Sequence, residues 1–224
     1  MGRCHGNRLR HHPARHRHRR QPGRRDRMTT RIQRRNRKRI LEAALEVFSA
    51  QGFRGATLDQ IATVAGLSKP NMLYYFDSKE AMHRALLDDL LVVWLAPLRD
   101  MSPKGDPKSE IMAYMRRKLQ MSRDLPRESR LFANEVLQGA PRMTDVMAGD
   151  LKDLVDSRAA MIQGWIEAGR LAPVDPYHLI FSIWALTQHY ADFDAQIRLI
   201  RGDVDPMAGA EAFLDTLFER LLRV

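Results

Sequence analysis

An all-α fold is predicted by three observations on the 224-residue chain. From Ile40 onward the apolar residues recur at helical spacing, no segment alternates apolar and polar side chains as a half-buried strand does, and the breaker-rich runs SPKGDP, QGAPR and GRLAPVDP fall between the periodic segments. An apolar fraction of 44% supports a sizeable core and excludes disorder throughout. No window offers the roughly eighteen uninterrupted apolar residues of a spanning helix, and the first thirty residues lack the apolar stretch of a secretory signal. A soluble, cytoplasmic protein is expected. The single cysteine, Cys4, leaves the rest of the chain without a disulfide or a thiolate metal site, which excludes zinc fingers and cysteine nucleophiles there.

The formal charge of +10 is unevenly spread. Residues 1–39 carry 16 basic residues against Asp26, whereas residues 40–224 are net acidic. Residues 1–28 read as a disordered basic extension, with ten Arg and five His among the first 27. A phosphate-neutralising arm, a His-rich metal tract and a transit peptide compete for it. Arg neighbours of His16 and His18 count against the metal, and missing Ser and apolar residues count against the transit peptide. The simplest reading is that Met28 is the physiological start, as a folded element follows it almost at once.

The first helix shows Ile40, Leu41, Ala44, Leu45 and Phe48 as a buried stripe and is expected to end at Gly52. Thr57 and Gln60 form a capping box for a second, short helix stopped by Gly66. Ser68 caps a third, with Pro70 tolerated in its first turn. Asp77 or Ser78 caps a fourth, which Pro97 is expected to end near residue 96. Further helices are predicted over 107–123, 127–138, 143–167, 176–201 and 207–222. The domains expected are 29–78, a three-helix unit, and 79–224, a larger helical domain.

Two short helices joined through Gly66 make a helix-turn-helix, a fold unit whose second helix enters the DNA major groove. Leu58, Ile61, Ala62, Ala65, Leu67 and Met72 lock the pair. Ser68, Lys69, Asn71, Tyr74, Tyr75 and Lys79 are candidates for phosphates or base edges, while Phe76 reads as core. Arg31, Arg34, Arg35, Arg37, Lys38 and Arg39 give the unit a basic approach on an otherwise acidic body. Such corners also occur in ordinary bundles. The runs Thr57-Leu58-Asp59-Gln60-Ile61-Ala62-Thr63-Val64-Ala65-Gly66-Leu67-Ser68 and Ser68-Lys69-Pro70-Asn71-Met72-Leu73-Tyr74-Tyr75-Phe76-Asp77-Ser78-Lys79-Glu80 resemble the tetracycline-repressor (TetR) family signature, departing from it at Pro70, where Gly is common, and at Asp77, where Pro is common. The resemblance implies a DNA-binding regulator in which Lys69, Asn71 and Tyr74 reach the groove and Tyr75 and Lys79 reach phosphates, with Thr57 in the same surface.

The segments Trp94-Leu95-Ala96-Pro97-Leu98, Ser129-Arg130-Leu131-Phe132-Ala133-Asn134-Glu135, Gly139-Ala140-Pro141, Gly164-Trp165 and the run from Ile183 through Phe193 resemble the pyrimidine-responsive members of that family. The resemblance covers residues 31–201 and implies a uracil or thymine effector that releases DNA. A pyrimidine base needs aromatic walls and polar groups of both donor and acceptor kind. Trp94 and Trp184 are candidate walls, Gln188 lies one turn after Trp184, and Arg130, Asn134, Thr187 and Tyr190 complete the candidate set. Each has a structural alternative: tryptophans in stripes are more often core, as Trp165 is expected to be, and Arg130 with Asn134 also fits a solvated face. His189 and Asp192 lack a third ligand at metal spacing, so a local hydrogen bond or a dimer contact is expected, with no metal site and no catalytic set.

Broad apolar faces on the last two long helices (Leu179, Ile180, Ile183, Trp184; Phe213, Leu214, Leu217, Leu221) suggest a homodimer and a palindromic DNA operator. Three rivals remain open: the same fold with a lipid-like or aromatic drug-like ligand, a helical enzyme using His189 and Asp192, and a non-specific nucleic-acid binder acting through the arm.

Overall fold

In a computed structural model of the protein, residues 24–224 are described, with side chains from Arg31 onward. The backbone is helical from Arg24, so residues 24–28 of the expected extension belong to the first helix; the reading of the remaining arm lies outside the described residues. The chain divides into two units, Met1–Asn36 and Arg37–Val224. The described residues contain helices and no strand.

Helix α1 (Arg24–Gly55) buries Ile40, Ala44, Leu45 and Phe48. Gly52 adopts φ 66°, a left-handed value open to glycine, and the chain continues for another turn that buries Phe53. The expected stop is thus a kink. Helix α2 (Leu58–Ala65) starts on the expected capping box: Gln60 N–H donates to Thr57 Oγ1 at 3.2 Å, and Thr57 N–H donates to Gln60 Oε1 at 2.8 Å. Gly66 ends it in the left-handed region, with N–H bonds to Ala62 and Thr63 carbonyls. A Cβ at Gly66 would stand 2.4 Å from Arg39 Nη2, which donates to the Gly66 carbonyl. Helix α3 (Lys69–Leu73) is capped by Ser68.

Helix α4 (Lys79–Asp100) is capped by Ser78 and runs through Pro97 instead of ending before it. Proline withholds an N–H only from the Val93 carbonyl. The last turn is held from outside, because Arg158 donates to the Leu98 and Arg99 carbonyls at 2.9 and 2.7 Å. Helices α5 (Pro107–Asp124) and α6 (Pro126–Leu137) follow nearly as predicted. The predicted helix over 143–167 is broken: α7 (Thr144–Val146) leads into a π turn, Met147–Leu151, where Gly149 leaves helical geometry, before α8 (Lys152–Glu167). The helix predicted over 176–201 divides at Phe193 into α9 (Pro176–Asp192) and α10 (Asp194–Arg201). Helix α11 (Ala210–Leu221) begins later than predicted, after Gly209 at φ 79°.

Within the second unit, α5 is central: α4, α6, α9 and α11 all pack on it, and α9 also rests on α6 and α8. One apolar core includes Phe48 and Met72 near the helix-turn-helix together with Met115, Ile183 and Phe218. Packing therefore continues across residue 78, where the sequence pattern suggests a boundary.

Candidate DNA-binding surface and effector site

Helix α3 buries one side and exposes the other. Met72 and Phe76 enter the core, while Lys69, Asn71 and Tyr74 are exposed, Tyr74 by 72%. Tyr75 is half-buried, edge-on to Tyr74 with ring centroids 5.2 Å apart. An exposed amine, amide and phenol on a short helix suit a nucleic-acid groove. Several neighbouring cations have structural partners. Lys69 Nζ lies 3.0 Å from Asp59, and the Arg37 guanidinium stands 4.2 Å from the Phe76 ring centroid. Lys79, expected at a phosphate, donates to the Phe53 and Ala56 carbonyls at 2.8 Å each and lies 4.4 Å from the Phe53 ring centroid. A helix end leaves carbonyls without intrahelical donors, and Lys79 supplies them for α1.

The interior of the larger domain holds an aromatic and polar cluster drawn from four helices. Trp94 of α4 is buried with Leu90 and Met121, flanked by Leu125 and Phe132. The amine of Lys118, on α5, lies 3.9 Å from the Trp94 ring centroid, and the residue is 1% exposed. Burial pushes this amine down to about 7, against the attraction of Asp192. Burial also raises the Asp192 carboxyl, opposed by the hydrogen bond it accepts from Ser129 Oγ of α6 at 2.6 Å. Beside it, Arg130 Nη1 donates to the Ala191 carbonyl at 3.2 Å. The cluster supplies a flat ring face, an amine near its neutral form and a carboxyl.

Lys118 and Ser129 escaped the sequence reading. Lys118 sits seven residues after Ile111 and three after Met115, on the stripe α5 buries, and a lysine in such a stripe is a usable signal. Asp192 was expected to pair locally or across a dimer; instead its partner lies 63 residues away on α6. His189 stacks on Phe193 with ring centroids 5.0 Å apart. Among the described residues no group of three His, Cys, Asp or Glu side chains could hold a metal ion.

The other candidate residues are more dispersed. Trp184 is half-buried, and its Nε1–H donates to Tyr114 Oη at 2.6 Å. Thr187 is buried and donates to the Ile183 carbonyl of its own helix. Asn134, Gln188 and Tyr190 are half-buried, and Tyr190 borders a hollow of about 160 Å³ with Ser122 and Asp194. A larger groove of about 610 Å³ opens between α4 and α5, lined by Val92, Val93, Pro97, Met101, Tyr114 and Arg117. Trp165 is core, as expected. No helix among the described residues is long and apolar enough to cross a membrane.

Comparison with known proteins places these features. Residues 40–86 match "Bacterial regulatory proteins, tetR family", and residues 87–223 match "YcdC-like protein, C-terminal region". The chain is 53% identical over 165 residues to the HTH-type transcriptional regulator RutR of Escherichia coli, in both O157:H7 and K12, covering 74% of this chain and 78% of that protein. Among solved structures it resembles a tetR-family regulatory protein from Rhodococcus RHA1 (TM-score 0.67, 21% identity, 84% of this chain and 96% of that one). It also resembles a regulator from Streptomyces coelicolor (TM-score 0.65, 24% identity, 84% and 98%). The last two likenesses concern the fold. The chain therefore belongs to the tetR family of bacterial regulatory proteins and is a ligand-responsive, DNA-binding transcriptional regulator, not an enzyme.

Proposed function

We propose that the protein is a homodimeric repressor of pyrimidine utilisation that uracil or thymine releases from a palindromic operator. The observation that carries the effector is the Trp94, Lys118 and Asp192 cluster. A pyrimidine presents a stacking face and an imide N–H between two carbonyls. In this reading it displaces Lys118 from the Trp94 face, the amine donates to a carbonyl and Asp192 accepts the N–H. Trp184 and Gln188, one turn apart on α9, and Arg130, Asn134, Thr187 and Tyr190 are the further candidates, more dispersed than the Trp94, Lys118 and Asp192 cluster. The 53% identity to RutR and the resemblance of these segments to pyrimidine-responsive regulators support the same class.

The dimer is argued from Phe181 of α9 and Phe213, Leu217 and Leu221 of α11, which are exposed by 37–58% on two helices that both rest on α5. Two copies joined there bring two α3 helices to successive major grooves. DNA contacts are assigned to Thr57, Ser68, Lys69, Asn71, Tyr74 and Tyr75, and to Lys79 if it leaves the end of α1. Effector release is a population shift: the base favours a conformer whose α3 helices are wrongly spaced, and operator affinity falls by that preference.

Titration calorimetry with uracil and thymine tests the reading. Binding is expected, with Lys118→Met and Trp94→Ala each weakening it at least about tenfold, which is about 1.4 kcal/mol. The apolar groove between α4 and α5 favours a second reading, a hydrophobic or aromatic effector. Heat from an apolar ligand panel and none from pyrimidines selects that one.

A further inference from the structure

A second buried polar cluster lies near the end of α6, beside the helix-turn-helix. Glu135 is 1% exposed and is held by Arg142: Oε1 accepts the Arg142 backbone N–H at 2.8 Å, and Oε2 accepts Nη1 at 3.0 Å. The same guanidinium lies 3.4 Å from the ring centroid of Phe53. Phe53 follows the Gly52 kink, and its carbonyl is one of the two that Lys79 holds. His83 of α4 packs edge-on to Phe48 and Phe53, at 4.8 and 5.0 Å between centroids. Its Nδ1 is buried without a hydrogen-bond partner and stands 3.9 Å from Glu135 Oε2, the oxygen that Arg142 Nη1 occupies.

A buried polar nitrogen is ordinarily paired. This one stops about 1 Å short of hydrogen-bond distance from a carboxylate oxygen already in use. We infer that Glu135 is a two-position latch. In the present position it holds Arg142 on Phe53, which fixes the end of α1 ahead of α2. In the other it accepts Nδ1–H of His83 and lets the guanidinium leave Phe53.

Helix α6 connects the latch to the effector. Ser129, six residues before Glu135 on the same helix and about 9 Å along its axis, is bound to Asp192. A ligand that takes Asp192 from Ser129 frees α6 to shift, and a shift of about 1 Å suffices to exchange Glu135 between its partners. The exchange requires no change of charge. Burial, with Arg142 and Lys79 adding to it and Glu135 and Glu80 opposing, lowers His83 to about 4, so a neutral imidazole is the donor. This inference deepens the effector reading above and rests on it for the link to uracil.

Two conservative variants of the full-length protein pull the latch in opposite directions. His83→Phe keeps the aromatic packing and removes the second partner of Glu135, so operator affinity without effector should stay within about twofold of wild type. Uracil should then bind at least about fivefold more weakly and release DNA less. Arg142→Gln removes the grip on Phe53, so operator affinity should fall at least about fivefold while uracil binds more tightly. Fluorescence anisotropy on operator DNA, calorimetry with uracil and a thermal-unfolding check on each variant give the readings. Variants that both retain wild-type coupling, or that move together, overturn the latch. The operator arm needs no effector. If wild-type protein ignores pyrimidines the effector reading fails, but Arg142→Gln must still weaken the operator complex and His83→Phe must not; absence of that contrast overturns the latch separately.

Discussion

The two buried polar clusters on α6 differ in what they leave incomplete. Around Ser129, the Lys118 amine rests on an aromatic face and is attracted by Asp192 without closing to an ion pair among the described residues. Around Glu135, the carboxylate and Arg142 are matched, and the leftover group is a neutral imidazole. A buried amine whose carboxylate neighbour stays beyond ion-pair distance is accommodated by a lowered proton affinity, as at Lys118, and in the proposed reading it donates to a carbonyl from outside. A buried neutral group next to a matched pair can compete only for a partner already present. In the proposed reading the first cluster receives a molecule, and the second chooses between neighbours.

The largest expected effect breaks the first cluster. Lys118 titrates at about 7 in the fold against an ordinary value of 10.5, so the unfolded chain binds the proton more readily between those limits. Stability should rise with pH from about 7 to 10.5, by an amount on the order of 5 kcal/mol. Lys118→Met should raise the urea midpoint at pH 7 and flatten that rise. A variant less stable than wild type at pH 7 would show that the amine is a stabilising member of the core. The second cluster responds on the acid side. His83 is lowered from 6.5 to about 4, so the stability tied to keeping it neutral is complete above about 6.5 and is lost as pH falls to 4, roughly 3 kcal/mol in all. His83→Phe should remove that part of the acid slope in equilibrium unfolding, and an unchanged slope would place it elsewhere.

Smaller effects test the surroundings. Tyr114→Phe removes the acceptor of the Trp184 N–H and should lower stability by about 1–3 kcal/mol in the same measurement. Lys69 and Asp59 are an exposed pair, so Lys69→Ala should leave stability within about 0.5 kcal/mol while weakening operator binding in an anisotropy titration. A stability loss as large as that of Tyr114→Phe would mark Lys69 as structural.

Legibility in the sequence follows the range of the interaction. The caps at Thr57 and Ser68 and the left-handed Gly66 are decided within a few residues, and the pattern reads them correctly. The run through Pro97 depends on Arg158, some sixty residues away, so a local rule ends α4 too early. The breaks at Gly149 and Phe193 likewise lie inside stretches whose periodicity continues across them. At the proposed effector site, Trp94 is legible only through family resemblance, Lys118 through its misplaced charge, and the bond between Ser129 and Asp192 through neither. Lys79 reads as a surface cation because nothing nearby in sequence discloses that α1 ends beneath it.

That last arrangement bears on how such regulators can be recombined. A chimera joined at residue 78 would inherit Phe53 and the end of α1 from one parent, and Lys79, His83, Glu135 and Arg142 from the other. The junction would run between the aromatic ring and the polar groups gathered around it. A hybrid sensor that keeps these five positions from a single donor, even at the expense of an interrupted graft, should transmit its signal better than one cut cleanly between helices.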